Sequence, residues 1–119
     1  MAKVFHITTS EVWEKARKAG IYEGDTLSSE GFIHCSTKEQ LIEVANRVYK
    51  GRRGLVLLLI NEEKIESEVR YENADNEQFY PHIYGPLNVD AVDEVVSFSP
   101  MDDGYFDFPE AEERERPSR

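Results

Sequence analysis

The chain has one cysteine among its 119 residues, so no internal disulfide framework holds it together. Cationic side chains are scarce: 14 Lys and Arg stand against 24 Asp and Glu, for a net charge of -10. That balance argues against general nucleic-acid binding or an anionic membrane as partner, though it leaves room for a local basic pocket. Long apolar runs are missing too, and none reaches the roughly 18 residues of a membrane span. No secretory pattern opens the chain, because Met1-Ala2-Lys3 runs straight into a strand-like segment; the cytoplasm is the expected address. No internal repeat or second domain interrupts the sequence. With 39% hydrophobic and 11% aromatic residues, residues 1–109 are expected to form a single domain with a real core. Residues 110–119 read as a charged, disordered tail.

Histidine is also rare, and its placement organises the rest. All three histidines sit in short apolar, strand-like runs: Phe5-His6-Ile7, Gly31-Phe32-Ile33-His34-Cys35-Ser36 and Pro81-His82-Ile83-Tyr84-Gly85-Pro86-Leu87. Alternation along a strand puts Phe32 and His34 on one face and Ile33 and Cys35 on the other. Three such imidazoles can line one cleft.

Between these runs the pattern predicts two main helices. One covers Ser10–Ala19, opened by a capping box from Thr8 to Glu11, with Val12, Trp13, Ala16 and Ala19 on one face. The other covers residues 37–50, opened by Ser36 and Glu39, with Leu41, Val44, Ala45, Val48 and Tyr49 at amphipathic spacing. Residues 21–29 read as a loop. Leu55-Val56-Leu57-Leu58-Leu59-Ile60 is apolar on both faces and is expected at the heart of a sheet. Residues 64–72 alternate strictly and are expected to pair antiparallel with that strand, across a turn at Asn61-Glu62-Glu63. Residues 73–78 form a polar loop, Pro81 and Pro86 bracket the last histidine strand, and residues 92–98 complete the sheet. Tyr105, Phe106 and Phe108 are expected to dock as an aromatic tail. The order of elements gives an α+β domain with a largely antiparallel sheet that can split into two.

His34 is the first candidate for chemistry, since a strand-borne imidazole serves as acid, base or phosphate ligand near neutral pH. His82 and His6 follow. A zinc triad fits poorly, because the histidines are widely separated and lack a paired-ligand motif; no metal is expected, and a histidine-bound metal hydrolase is a remote third reading. Cys35 beside His34 points to the opposite face and reads as a buried structural thiol. Ser36 reads first as a cap, at a helix amino end that also offers N–H groups to a phosphate. Gly51-Arg52-Arg53-Gly54 lacks the ending of a phosphate loop and reads as a solvated turn. Tyr84 and Tyr22 are candidates for stacking on a planar ring. Glu72, Asp75 and Glu77 are the carboxylates near the expected cleft.

These same motifs, together with Ala45-Asn46 and Phe106 followed by Pro109, resemble a family of small, mostly bacterial proteins termed domain of unknown function 952, over about residues 3–109. The fold of that family is grouped with the ADP-ribosyltransferases. The resemblance therefore implies a split-sheet, ADP-ribosyltransferase-like domain whose cleft takes NAD, ADP-ribose or a related nucleotide phosphate. His6 is similar in position to the first-strand Arg or His that holds the dinucleotide. Where a later strand of the transferases commonly supplies a catalytic Glu, this chain offers His82 and Tyr84. That departure turns the expectation toward nucleotide binding or a phosphate-directed reaction like that of the RNA 2'-phosphotransferases. On this reading His34 and His82 are catalytic, and His6, Ser36, Tyr84 and Tyr22 bind the cofactor. The alternative is a non-enzymatic, acidic protein-interaction module.

Overall fold

A computed structural model describes residues 3–24, 26–73 and 78–109. The expected disordered tail, and the carboxylates Asp75 and Glu77, lie outside the described residues. In chain order the elements are β1 (Lys3–Thr9), α1 (Ser10–Ala19), β2 (Ile21–Tyr22), α2 (Leu27–Glu30), β3 (Ile33–His34), α3 (Lys38–Val48) and β4 (Leu55–Asn61), followed by β5 (Glu68–Asn73), β6 (Phe79–Tyr84), β7 (Leu87–Asn88) and β8 (Val92–Phe98). The strands form three sheets, ordered β1-β4-β8, β2-β7 and β3-β6-β5, and the pairings are antiparallel. The domain is thus α+β with a split antiparallel arrangement, and its described residues form three helices in place of two because residues 27–30 make one helical turn at the end of the expected loop.

β4 is the middle strand of its sheet, and Leu57, Leu58, Leu59 and Ile60 are fully buried. Both faces are covered. Leu57 and Leu59 pack with Phe5, Ile7, Leu41, Ala45, Phe98 and Phe106, whereas Leu58 and Ile60 pack with Val4, Trp13, Tyr22, Ile33, Cys35 and Ile83. Phe106 and Phe108 of the expected aromatic tail dock on the first of these layers, while Tyr105 is exposed. Phe106 stacks on Phe98 at 4.7 Å, and its N–H is bound by Asn46 Oδ1 at 2.6 Å.

Four expectations need correction. Residues 64–72 do not pair with β4: Glu62–Lys64 form a single 3-10 turn, and β5 pairs with β6 across a long sequence separation. Both helix caps fall one residue later than the capping-box spacing suggested. β1 runs on through Thr9, which pairs with Leu55 and leads directly into α1, so Thr9 Oγ1 accepts the Val12 N–H; Ser36 is held by a two-bond bridge to Phe5, and Thr37 caps α3. Gln40, not Glu39, completes that second box, because its amide does two jobs: Oε1 accepts from the Thr37 N–H and Nε2 donates to the Phe79 carbonyl. A carboxylate has no proton for the second bond. Val12, expected on the packed face of α1, is exposed, while Trp13 and Ala16 are buried.

The fourth concerns Pro81, which lies inside β6, the middle strand of the β3-β6-β5 sheet. Its carbonyl accepts from the Cys35 N–H at 3.0 Å. In an antiparallel ladder the nitrogen of the same residue faces the same neighbour, so the missing N–H falls where β3 has already ended and the ladder ends with it.

Candidate functional site

β3 and β6 pair Ile33 with Ile83 and His34 with His82. The isoleucines point into the core, so the two imidazoles stand side by side on the opposite face, their ring centroids 5.2 Å apart. Phe32 shares that face two residues before His34. It stacks nearly parallel on His82 at 4.1 Å and lies 4.7 Å from His34.

Each imidazole rests against a carboxylate. His82 Nδ1 is 2.8 Å from Glu72 Oε1, and the Tyr84 hydroxyl donates to the same oxygen at 2.6 Å. These two donors, Tyr84 first and His82 second, hold the Glu72 carboxyl below the usual carboxylate range, and the same bond pushes the Tyr84 hydroxyl up. His34 Nε2 is 2.5 Å from Glu30 Oε1, at the end of α2. The two differ in setting, for the His82 side chain is 12% exposed and that of His34 is 51% exposed. Among the described residues, His34 Nδ1 and His82 Nε2 have no hydrogen-bond partner.

His6 lies one sheet away, with both ring nitrogens engaged. Nδ1 is 2.6 Å from the His34 carbonyl oxygen and Nε2 is 2.6 Å from the Tyr22 hydroxyl. A carbonyl can only accept, so Nδ1 carries the proton, and in the neutral ring Nε2 accepts from Tyr22. His6 therefore fixes Tyr22, whose ring Gly24 also approaches; a Cβ at Gly24 would sit 3.2 Å from the tyrosine oxygen.

His6, His34 and His82 border a single cleft of about 600 Å³, together with Tyr22 and Ser36. Ser36 is buried, and its hydroxyl makes no hydrogen bond to a described residue. Tyr84 is not brought to the cleft. It stands beyond Phe32, 5.1 Å ring to ring, with the Arg70 guanidinium 4.3 Å above it. Cys35 turns into the core, where burial pushes its thiol far up, so it forms no thiol–imidazole pair. Among the described residues no group of three His, Cys, Asp or Glu side chains is arranged for a metal ion, and no helix is long and apolar enough to cross a membrane.

Two cations also line the cleft, neither of them expected there. Arg47, from the last turn of α3, and Arg52, from the turn read as solvated, both line it; Arg47 is bound by Glu43 at 3.0 Å and Arg52 lies over the Tyr49 ring at 5.3 Å. Among the described lining residues there is no Asp or Glu. Phe32 and Glu30 were also missed, although strand alternation marked the first as a face-mate of His34.

These features define a class: an α+β domain of antiparallel sheets with a histidine-bordered cleft whose described lining carries no acid. The chain belongs to the family described as Protein of unknown function (DUF952), whose family model matches residues 7–95. It is similar to the crystal structure of protein CC0527 from Caulobacter crescentus, with 29% identity and a TM-score of 0.82 over 88% of this chain and 93% of that one. The solution structure of the same protein is similar over 96% and 97% of the two chains, with a TM-score of 0.78. Among curated proteins there is no match.

Proposed function

We propose that the cleft binds a nucleotide phosphate of the NAD or ADP-ribose kind, in an ADP-ribosyltransferase-like domain with transferase or phosphotransferase chemistry. One observation carries this reading. In a chain of net charge -10, the described lining of the cleft has two arginines, three histidines and no carboxylate. That excess of cationic and titratable basic groups among the described lining residues favours an anionic occupant. Arg47 and Arg52 neutralise phosphate, with Arg offering a planar fork of donors. Tyr22, held by His6, and the buried Ser36 hydroxyl add polar contacts, while His34 and His82 face the reacting group. Tyr84 acts from outside by orienting Glu72.

Isothermal titration with ADP-ribose, NAD and inorganic phosphate tests the proposal. ADP-ribose should bind the wild type, with affinity falling about tenfold in Arg52→Ala as one charge-assisted contact is lost. A folded protein that takes up none of the three would overturn it.

A further inference from the structure

We infer that His34 and His82 work as a general acid–base pair that hydrolyses a ribonucleoside cyclic phosphodiester; this rests on the nucleotide reading of the cleft and adds a reaction to it. Four features carry the inference. The rings are neighbours across a strand pair, in a T-shaped contact with 5.2 Å between centroids, so both border the same part of the cleft. Each is oriented by a carboxylate through one nitrogen, as Glu72 binds His82 Nδ1 and Glu30 binds His34 Nε2. The remaining nitrogens, His82 Nε2 and His34 Nδ1, have no partner among the described residues. Among the described residues neither the buried Cys35 nor the buried Ser36 shares a hydrogen bond with His34 or His82, while the Tyr22 hydroxyl is bound to His6, so the pair is assigned water as the attacking oxygen.

The two rings have different settings, which assigns their roles. Glu72 holds the proton of His82 on Nδ1, leaving the Nε2 lone pair free to accept; the mostly covered ring is further locked by Phe32 stacking on it. His82 is the base. His34 is half exposed, so it reloads from solvent, and in its protonated form Glu30 holds Nε2–H while Nδ1–H points away from that carboxylate. His34 is the acid. In the step, water oxygen bonds to phosphorus as His82 Nε2 takes one water proton. The bond from phosphorus to one ribose oxygen breaks, its electron pair stays on that oxygen, and His34 Nδ1 supplies the proton. The products are a phosphomonoester and a free ribose hydroxyl, and both rings return to their starting states by exchange with solvent. A cyclic ester suits the pair because the leaving oxygen remains tethered to the product, and an alkoxide leaves readily only when protonated.

The test uses adenosine 2',3'-cyclic phosphate, following formation of the monophosphate by chromatography and binding by titration calorimetry. The wild type should turn the probe over with a bell-shaped pH profile of kcat/KM, since one group must be unprotonated and the other protonated. His34→Ala and His82→Ala should each lower kcat/KM by about 100-fold or more, the first removing the alkaline limb and the second the acid limb. Glu72→Gln, which keeps the shape at that position, should move the acid limb without removing it, and stands in for His82→Ala should that variant not fold. Binding without turnover overturns the acid–base pair and leaves the nucleotide reading intact. Absence of both binding and turnover overturns the two together, and turnover whose pH profile is unchanged in His34→Ala overturns the assignment of roles.

Discussion

The β1-β4-β8 sheet and the β3-β6-β5 sheet use their side chains in opposite ways. The first is covered on both faces along its middle strand, with four consecutive β4 residues sealed from solvent, and only its edge strand β8 leaves an exposed row at Asp93, Val95 and Ser97. The second is apolar on one face only, where Ile33, Cys35 and Ile83 join the core; its other face carries Phe32, His34, His82, Glu72 and Arg70. One sheet holds the domain together, and the other displays polar groups on a floor it did not have to build. Substitutions should therefore separate cleanly into those that unfold the chain and those that alter its chemistry.

The largest effect is expected at Leu58, which has no exposed surface and lies between Val4, Ile33 and Ile83 in the shared core. Leu58→Ala should cost about 3 kcal/mol in urea unfolding, through lost transfer energy and the cavity left behind. By contrast, His34→Ala on the exposed face should stay within about 0.5 kcal/mol. Equal losses at the two positions would erase the contrast between the sheets.

Next comes Gly85, where β6 leaves its sheet toward β7. Its φ is 148°, and a Cβ there would lie 2.5 Å from Ser67 Oγ. Gly85→Ala should destabilise by about 2 kcal/mol through backbone strain and displacement of Ser67, read as a lower midpoint in thermal or urea unfolding. The Ser67 hydroxyl donates to the Pro86 carbonyl at 2.7 Å, so the serine is not free to swing away.

The smallest effect is a pH dependence at Glu72. Its folded-state carboxyl lies below the ordinary range, with Tyr84 the leading cause and His82 the second. The stabilisation it contributes is therefore present above the unfolded-state value and is lost as pH falls through the folded one. Glu72→Gln should be somewhat less stable than wild type at neutral pH, and the gap should close under acid conditions. A gap that widens on acidification would show that the carboxylate is not the favoured partner.

The contrast between sheets also governs how much the sequence revealed. The β4 run was legible because burial on both faces leaves an unbroken apolar string, and α3 because one buried face imposes a helical period. The partner of β5 was not, since strand alternation records which face is buried and says nothing of which distant strand lies alongside. The caps slipped by one residue because β1 extends through Thr9 and the bridge to Phe5 holds Ser36, tertiary facts that the local spacing of Thr8 and Ser36 does not record. At the site, alternation was enough to put Phe32 with His34 and Cys35 away from both. The turn at residues 51–54 is exposed as read, but nothing local shows that its Arg52 borders a cleft built by distant segments; Glu30 was hidden because its short helix has no periodic signal of its own.

Pro81 shows how a local deficit shapes the larger form. Without an amide hydrogen there, the zipper of β3 onto β6 cannot run past Cys35, and the departing chain carries Ser36 across to meet Phe5. The chain thus changes partners, from β6 to β1, beside the one residue of β6 that has no amide proton to give.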